Sequence, residues 1–185
     1  RNLSTRGRLI NILSENERGL LIFSWGGFGQ STGTASEISF YDDARAIFDW
    51  LAIEHNLNSS DLIIYGESLG TGVAVQLATE REFKGVILAA PYTSIAQMAA
   101  DDYPWLPVNL LLKHRFDSID KIQRVDAPSV IMHSTDDDTI PYQQGENLFE
   151  AANEPKLFMG FEDREHTRFR LEDVSRAIEW ILVGK

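Results

Sequence analysis

The chain has 185 residues, a formal net charge of −11 and a pI near 4.7, with 43% apolar and 24% charged residues. That is enough for one domain with a substantial core, and an acidic surface repels phosphate backbones, which argues against nucleic acid as a partner. No apolar run approaches the roughly 20 residues that cross a bilayer, and the lack of cysteine excludes disulfides, thiolate metal sites and a cysteine nucleophile while leaving the redox compartment open.

In chain order, residues 8–17 ("RLINILSENE") carry apolar side chains at helical spacing, and 19–25 ("GLLIFSW") read as a short buried strand. A Gly/Ser/Thr-rich loop follows. Residues 39–56 predict a helix with Ala44, Ile47, Phe48 and Leu51 on one face and Ser39 as N-cap. Strands are expected at 61–66, 84–91, 127–134 and 155–161, and helices at 69–79, 143–152 and 168–183. Five strands alternating with helices predict an α/β fold with a mostly parallel, doubly wound sheet. No internal repeat or linker divides the chain, so 1–185 reads as one domain. Residues 92–121, with Pro104, Trp105 and Pro107, break the rhythm. An insertion after a strand's C-terminal end, in such a sheet, lies over the place where ligands bind and reads as a cap.

Within "IIYGESLGTGVAV" (63–75), a strand turns directly into a helix through G-E-S-L-G, a match to G-x-S-x-G. Such a turn strains the backbone at Ser68 and exposes its side chain. Gly66 and Gly70 fit where larger side chains would collide, and Gly72 allows close packing of the helix on the sheet. The helix N-terminus aims its N–H groups toward a developing oxyanion. A serine nucleophile needs a base, and the base an orienting carboxylate. After the strand at 127–134 stand Asp136, Asp137 and Asp138; after the strand at 155–161 stands His166. Among the other histidines, His55 ends a helix, His114 lies in a basic helical part of the insertion, and His133 shapes a turn by hydrogen bonding.

Together these residues resemble the α/β-hydrolase fold, and more narrowly its serine-hydrolase branch of BEM46-like and α/β-hydrolase-domain 13 and 17 proteins. "FGQSTGTASEISFYDDARAIFDWL", "YGESLGTGVAVQLA" and "APSVIMHSTDDDTIPYQQGENLF" each resemble a segment of that branch. The resemblance covers nearly the whole chain and selects Asp137, four residues after His133 and four before Pro141. It implies a Ser68–Asp137–His166 hydrolase of esters or thioesters, using no metal and no organic cofactor. The Leu69 N–H would supply one half of the oxyanion hole. The family's first strands and an H-G-type turn with the second donor are expected before Arg1, which would make this sequence part of a longer protein and leaves membrane association through a preceding segment open. Gly27 stands where the family commonly has Arg, which predicts a looser loop or a wider pocket. In the insertion, Met98, Tyr103, Trp105 and Leu106 are candidates to contact a small-molecule ester or acyl substrate. A peptidase or amidase on the same fold, and a catalytically silent binding protein, are the alternatives.

Overall fold

A computed structural model describes residues 19–103, 105–107, 112–163 and 165–184; the helix expected over 8–17 lies outside them. Helix α1 (Glu37–His55) begins at Ser36, not at Ser39. The two serines form a reciprocal capping box. Ser36 Oγ accepts from the Ser39 N–H at 3.0 Å, and Ser39 Oγ accepts from the Ser36 N–H at 2.9 Å. Along α1, Phe40, Tyr41, Ala44 and Leu51 are buried.

Strand β1 (Ile63–Glu67) leads into α2 (Leu69–Ala78), and β2 (Gly85–Ala89) into α3 (Ile95–Asp102) and the short α4 (Ile119–Ile122). Strand β3 (Ser129–Ser134), α5 (Tyr142–Ala151), β4 (Lys156–Phe161) and α6 (Leu171–Val183) follow. The sheet order is β1-β2-β3-β4, all parallel, with Tyr65 opposite Ile87, Ile87 opposite Val130, and Val130 opposite Leu157. Every residue of β2 and β3 is buried, as continuous apolar strands require when both faces are covered. Alternation along the strands separates two cores. Val86, Leu88 and Ile131 pack with residues of α1, α2, α4 and α5 on one face. Ile87, Ala89, Val130 and Met132 pack with Val174, Ala177, Ile178 and Ile181 of α6 on the other.

The sheet therefore has four strands among the described residues, where five were expected. Residues 19–25 carry no regular secondary structure and lie outside it. A cleft of about 480 Å³ is lined by Leu21, Phe23 and Trp25 together with Ile64, Tyr65 and Glu67, and among the described residues this segment does not pair with β1. Aromatic contacts hold it instead: Phe23 meets Trp25 edge-on at 4.7 Å, and Trp25 lies 5.4 Å from Phe40. The Gly26 N–H donates to Asp43 Oδ2 at 2.7 Å. The loop that follows is tight, not loose. Gly27 has φ +80°, and a Cβ there would stand 2.9 Å from the Ala35 backbone nitrogen, so an arginine does not fit this conformation.

Glu37 ties residues 114–121 to the start of α1. Its carboxylate accepts from Tyr41 Oη at 2.7 Å and from the Arg115 N–H at 2.8 Å, while its own N–H donates to His114 Nδ1 at 3.2 Å. Residues around His114 are irregular, not helical, because their hydrogen bonds run to Glu37 and not along a helix.

Candidate active site

Ser68 joins β1 to α2 with φ 52° and ψ −121°, a backbone conformation that side chains other than glycine rarely adopt. The surroundings hold it there. Its N–H donates to the Ala89 carbonyl at 2.9 Å, and its own carbonyl accepts from the Thr71 N–H at 2.9 Å and Thr71 Oγ1 at 2.7 Å. Gly66 is sterically required: a Cβ would stand 2.7 Å from the Gly70 carbonyl oxygen and 2.8 Å from Thr71 Cα. Gly70 is not, since a Cβ there meets nothing within 4 Å; its flank faces open space. A Cβ on Gly72 would overlap the Tyr92 hydroxyl. The close neighbour of Gly72 is thus Tyr92, whose hydroxyl donates to the Leu69 carbonyl at 3.2 Å.

The turns after β3 and β4 bring two further side chains to Ser68. His166 Nε2 lies 2.9 Å from Ser68 Oγ, across 98 residues of sequence. His166 Nδ1 lies 2.7 Å from Asp137 Oδ2 and 2.9 Å from Oδ1. A carboxylate only accepts, so Nδ1 carries the proton and Nε2 presents its lone pair to the serine hydroxyl. The Asp137 side chain is 1% exposed and that of His166 17%. Asp137 Oδ1 also accepts the N–H groups of Thr139 at 2.9 Å and Ile140 at 2.8 Å. The neighbouring aspartates do other things. Asp136 Oδ2 accepts the Asp163 N–H at 2.7 Å, joining the two turns, and Asp138 Oδ1 accepts from the Thr139 hydroxyl at 3.1 Å.

Leu69 is the first residue of α2, where backbone N–H groups have no partner within the helix. The second donor expected before Arg1 falls outside this sequence. The four insertion residues are not brought to Ser68. Met98 packs against the core beside α1 and α2. Tyr103 and Trp105 meet edge-on at 6.5 Å and are 51% and 76% exposed, and Leu106 is also exposed. None of the four is among the described residues lining the cleft that Ser68 and His166 border; that lining comes from Phe28, Phe48, Val73 and Leu77 as well as residues 21–25. Among the described residues no group of three or more His, Asp or Glu side chains is arranged to hold a metal ion.

Sequence reasoning did not single out Gln144 or Glu37, and it read His133 as a turn residue without its burial. Gln144 of α5 accepts the Thr93 N–H at 3.0 Å and so fixes the start of the insertion. Glu37 fixes its end. His133, fully buried at the end of β3, has Nε2 3.0 Å from the Ile140 carbonyl; the spacing from Asp137 signalled a turn-shaping role but not its burial. Burial holds the His133 imidazole below its ordinary pKa, against the opposing pull of the Ile140 carbonyl and Asp137.

A parallel sheet with helices on both faces, carrying a strained serine at one strand–helix turn and a linked histidine and aspartate at two others, defines an α/β hydrolase. The Hydrolase_4 family model, described as serine aminopeptidase, S33, matches residues 4–119, and the chain belongs to this α/β-hydrolase family of serine hydrolases. Alpha/beta hydrolase domain-containing protein 17B of Homo sapiens is 33% identical over 133 residues, 72% of this chain and 45% of that protein. The lysophosphatidylserine lipase ABHD12 of Danio rerio is 29% identical over 182 residues, covering 86% of this chain and 47% of that protein. In three dimensions the chain is similar to the monoacylglycerol lipase of Paleococcus ferrophilus, with a TM-score of 0.72 at 20% identity, over 98% of this chain and 90% of that one. The chain spans about half the length of the curated relatives it matches.

Proposed function

We propose that the protein hydrolyses a carboxylic ester or thioester through an acyl-enzyme on Ser68. The observation that carries this reading is the unbroken line from Ser68 Oγ through His166 Nε2 and Nδ1 to Asp137, with steps of 2.9 and 2.7 Å. Ser68 Oγ attacks the substrate carbonyl carbon as its proton passes to His166 Nε2. Asp137 holds the ring's orientation and stabilises the imidazolium. The oxyanion accepts from the Leu69 N–H at the start of α2, and the helix dipole favours its charge. The tetrahedral intermediate collapses, His166 returns the proton to the leaving alcohol or thiol, and water activated by the same nitrogen then frees the acid and Ser68.

The lipase relative supports an ester substrate; the family's description as an aminopeptidase supports amide cleavage as the second reading. Both use the same three side chains. In the full-length protein, a fluorophosphonate probe should label the wild type and not Ser68→Ala; equal labelling of both removes Ser68 as nucleophile. Hydrolysis of p-nitrophenyl esters of graded chain length, set beside aminoacyl amides, separates the two readings. Turnover of the amides alone discards the ester assignment.

A further inference from the structure

The buried His133 has one ring nitrogen engaged and the other bare, and it stands beside the carboxylate that faces His166. Its Nε2 is 3.0 Å from the Ile140 carbonyl and 3.5 Å from Asp137 Oδ2. A carbonyl only accepts, so Nε2 carries the proton. Nδ1 is then a lone pair, and among the described residues no hydrogen-bond partner reaches it. It faces Gly145 of α5, so closely that a Cβ there would overlap it; the Tyr142 ring stands edge-on at 5.7 Å. A second proton on this ring would sit buried against Gly145 without an acceptor.

The Ile140 peptide unit is held at both ends. Its carbonyl accepts from His133, and its N–H donates to Asp137 Oδ1 at 2.8 Å. An apolar residue of similar volume would pack in this core without desolvating two nitrogens. We propose that His133 is a positioning residue for Asp137: its Nε2–H fixes the Ile140 peptide, and that peptide, with the adjacent Nε2–H dipole, aligns the carboxylate on His166. This rests on the reading of Asp137 as the orienting carboxylate of the hydrolase. The ionisable groups facing His133 are Asp137, His166 and Tyr142.

Two substitutions in the full-length protein separate the position of the donor from burial of a polar ring. His133→Gln carries an amide N–H near the place of Nε2. His133→Asn carries it near the place of Nδ1. Both are neutral and polar. The downfield Nδ1–H resonance of His166, followed by NMR, reports alignment with Asp137 whether or not any substrate is turned over. With Gln, this resonance should match the wild type, and kcat on a p-nitrophenyl ester should stay within about threefold. With Asn, the downfield resonance should broaden or vanish because the carboxylate is no longer aligned on the ring. The Asn variant's kcat should drop about 10- to 100-fold with KM little changed, the pattern of a lost transition-state interaction. If both variants keep the wild-type signals, or both lose them equally, the assignment is overturned. Should Asn prevent folding, Gly145→Ala offers the second arm, since it displaces the ring without changing its chemistry; unaltered His166 signals there also overturn it. A wild type that is silent on esters but shows the Gln–Asn difference by NMR refutes the substrate reading and leaves the positioning role intact.

Discussion

On one side of Ser68, β1 to β4 run in continuous parallel register, and the turns at their C-terminal ends carry His166 and Asp137. On the other side, residues 19–25 and β1 line a shared cleft of about 480 Å³, and ring contacts and the Gly26 N–H bond to Asp43 fasten this segment. The first side rests on a backbone ladder; among the described residues the second shows ring contacts and turn hydrogen bonds but no ladder. The serine, histidine and aspartate, with steps of 2.9 and 2.7 Å between them, all stand on turns of the laddered side. A rigid ladder is what lets three turns, far apart in sequence, meet.

The sharpest way to break this contrast is at Asp137. Asp137→Asn should reduce ester turnover by about 10⁴-fold, the size of loss met when the carboxylate of such a triad becomes an amide. Asp138→Asn, one residue away and, among the described residues, hydrogen-bonded to the Thr139 hydroxyl, should leave turnover nearly unchanged. Similar kinetics for the two would detach the laddered side from the chemistry.

Smaller effects are expected on stability. Gly66→Ala drives a methyl into the Gly70 and Thr71 backbone and should lower stability by about 1–3 kcal/mol or more. Gly70→Ala, facing open space within α2, should leave the thermal midpoint unchanged or raise it, by about 0.5–1 kcal/mol equivalent. Equal losses at both would show that the motif, not the local contact, decides. On the cleft side, Gly27→Arg should cost about 1–3 kcal/mol through its left-handed backbone and the contact with Ala35; denaturant midpoints read it directly, and a neutral result would mean that this loop rearranges freely.

The smallest effect lies in pH. Burial depresses the His133 pKa, so below the ordinary histidine value of about 6.5 the unfolded chain binds a proton that the folded chain refuses. Stability linked to this group is therefore present above about pH 6.5 and lost as pH falls, by at most about 1.4 kcal/mol per pH unit. His133→Gln should flatten that acid limb in urea titrations from pH 5 to 8. An unchanged slope would mean that His133 takes up its proton in the folded state.

Legibility in the sequence divided along the same line. β2 and β3 announced themselves because both faces are buried, and the G-E-S-L-G turn because it joins a strand directly to a helix, with sterics demanding glycine at Gly66 but not at Gly70. The run 19–25 has the composition of a strand, but pairing belongs to two segments at once, and no local pattern reports the neighbour. Ser39 looked like a cap because it precedes an apolar stripe; Ser36, three residues earlier, shares the role with it, and only the reciprocal bonds show which begins the helix. The aromatic residues of the insertion suggested a pocket, yet Tyr103 and Trp105 meet edge-on and are exposed. Aromatic character marks a surface worth covering without saying which one. Asp137 was distinguishable from Asp136 and Asp138 only by resemblance, since three adjacent carboxylates carry the same chemistry and a turn decides among them.

The 98 residues separating Ser68 from His166 also set a clock. At synthesis rates of about 5–20 residues per second, the serine exists for roughly 5–20 s before its imidazole neighbour has been made. β1, α2 and β2 can assemble the strained turn from local contacts, but His166 reaches it only after β4 has joined the far edge of the sheet, a long loop closure of the kind that forms late. A nascent or stalled chain thus displays a serine with no base beside it. On the proposed chemistry, the order of the residues, with no separate inhibitor, keeps Ser68 without its base until β4 is in place.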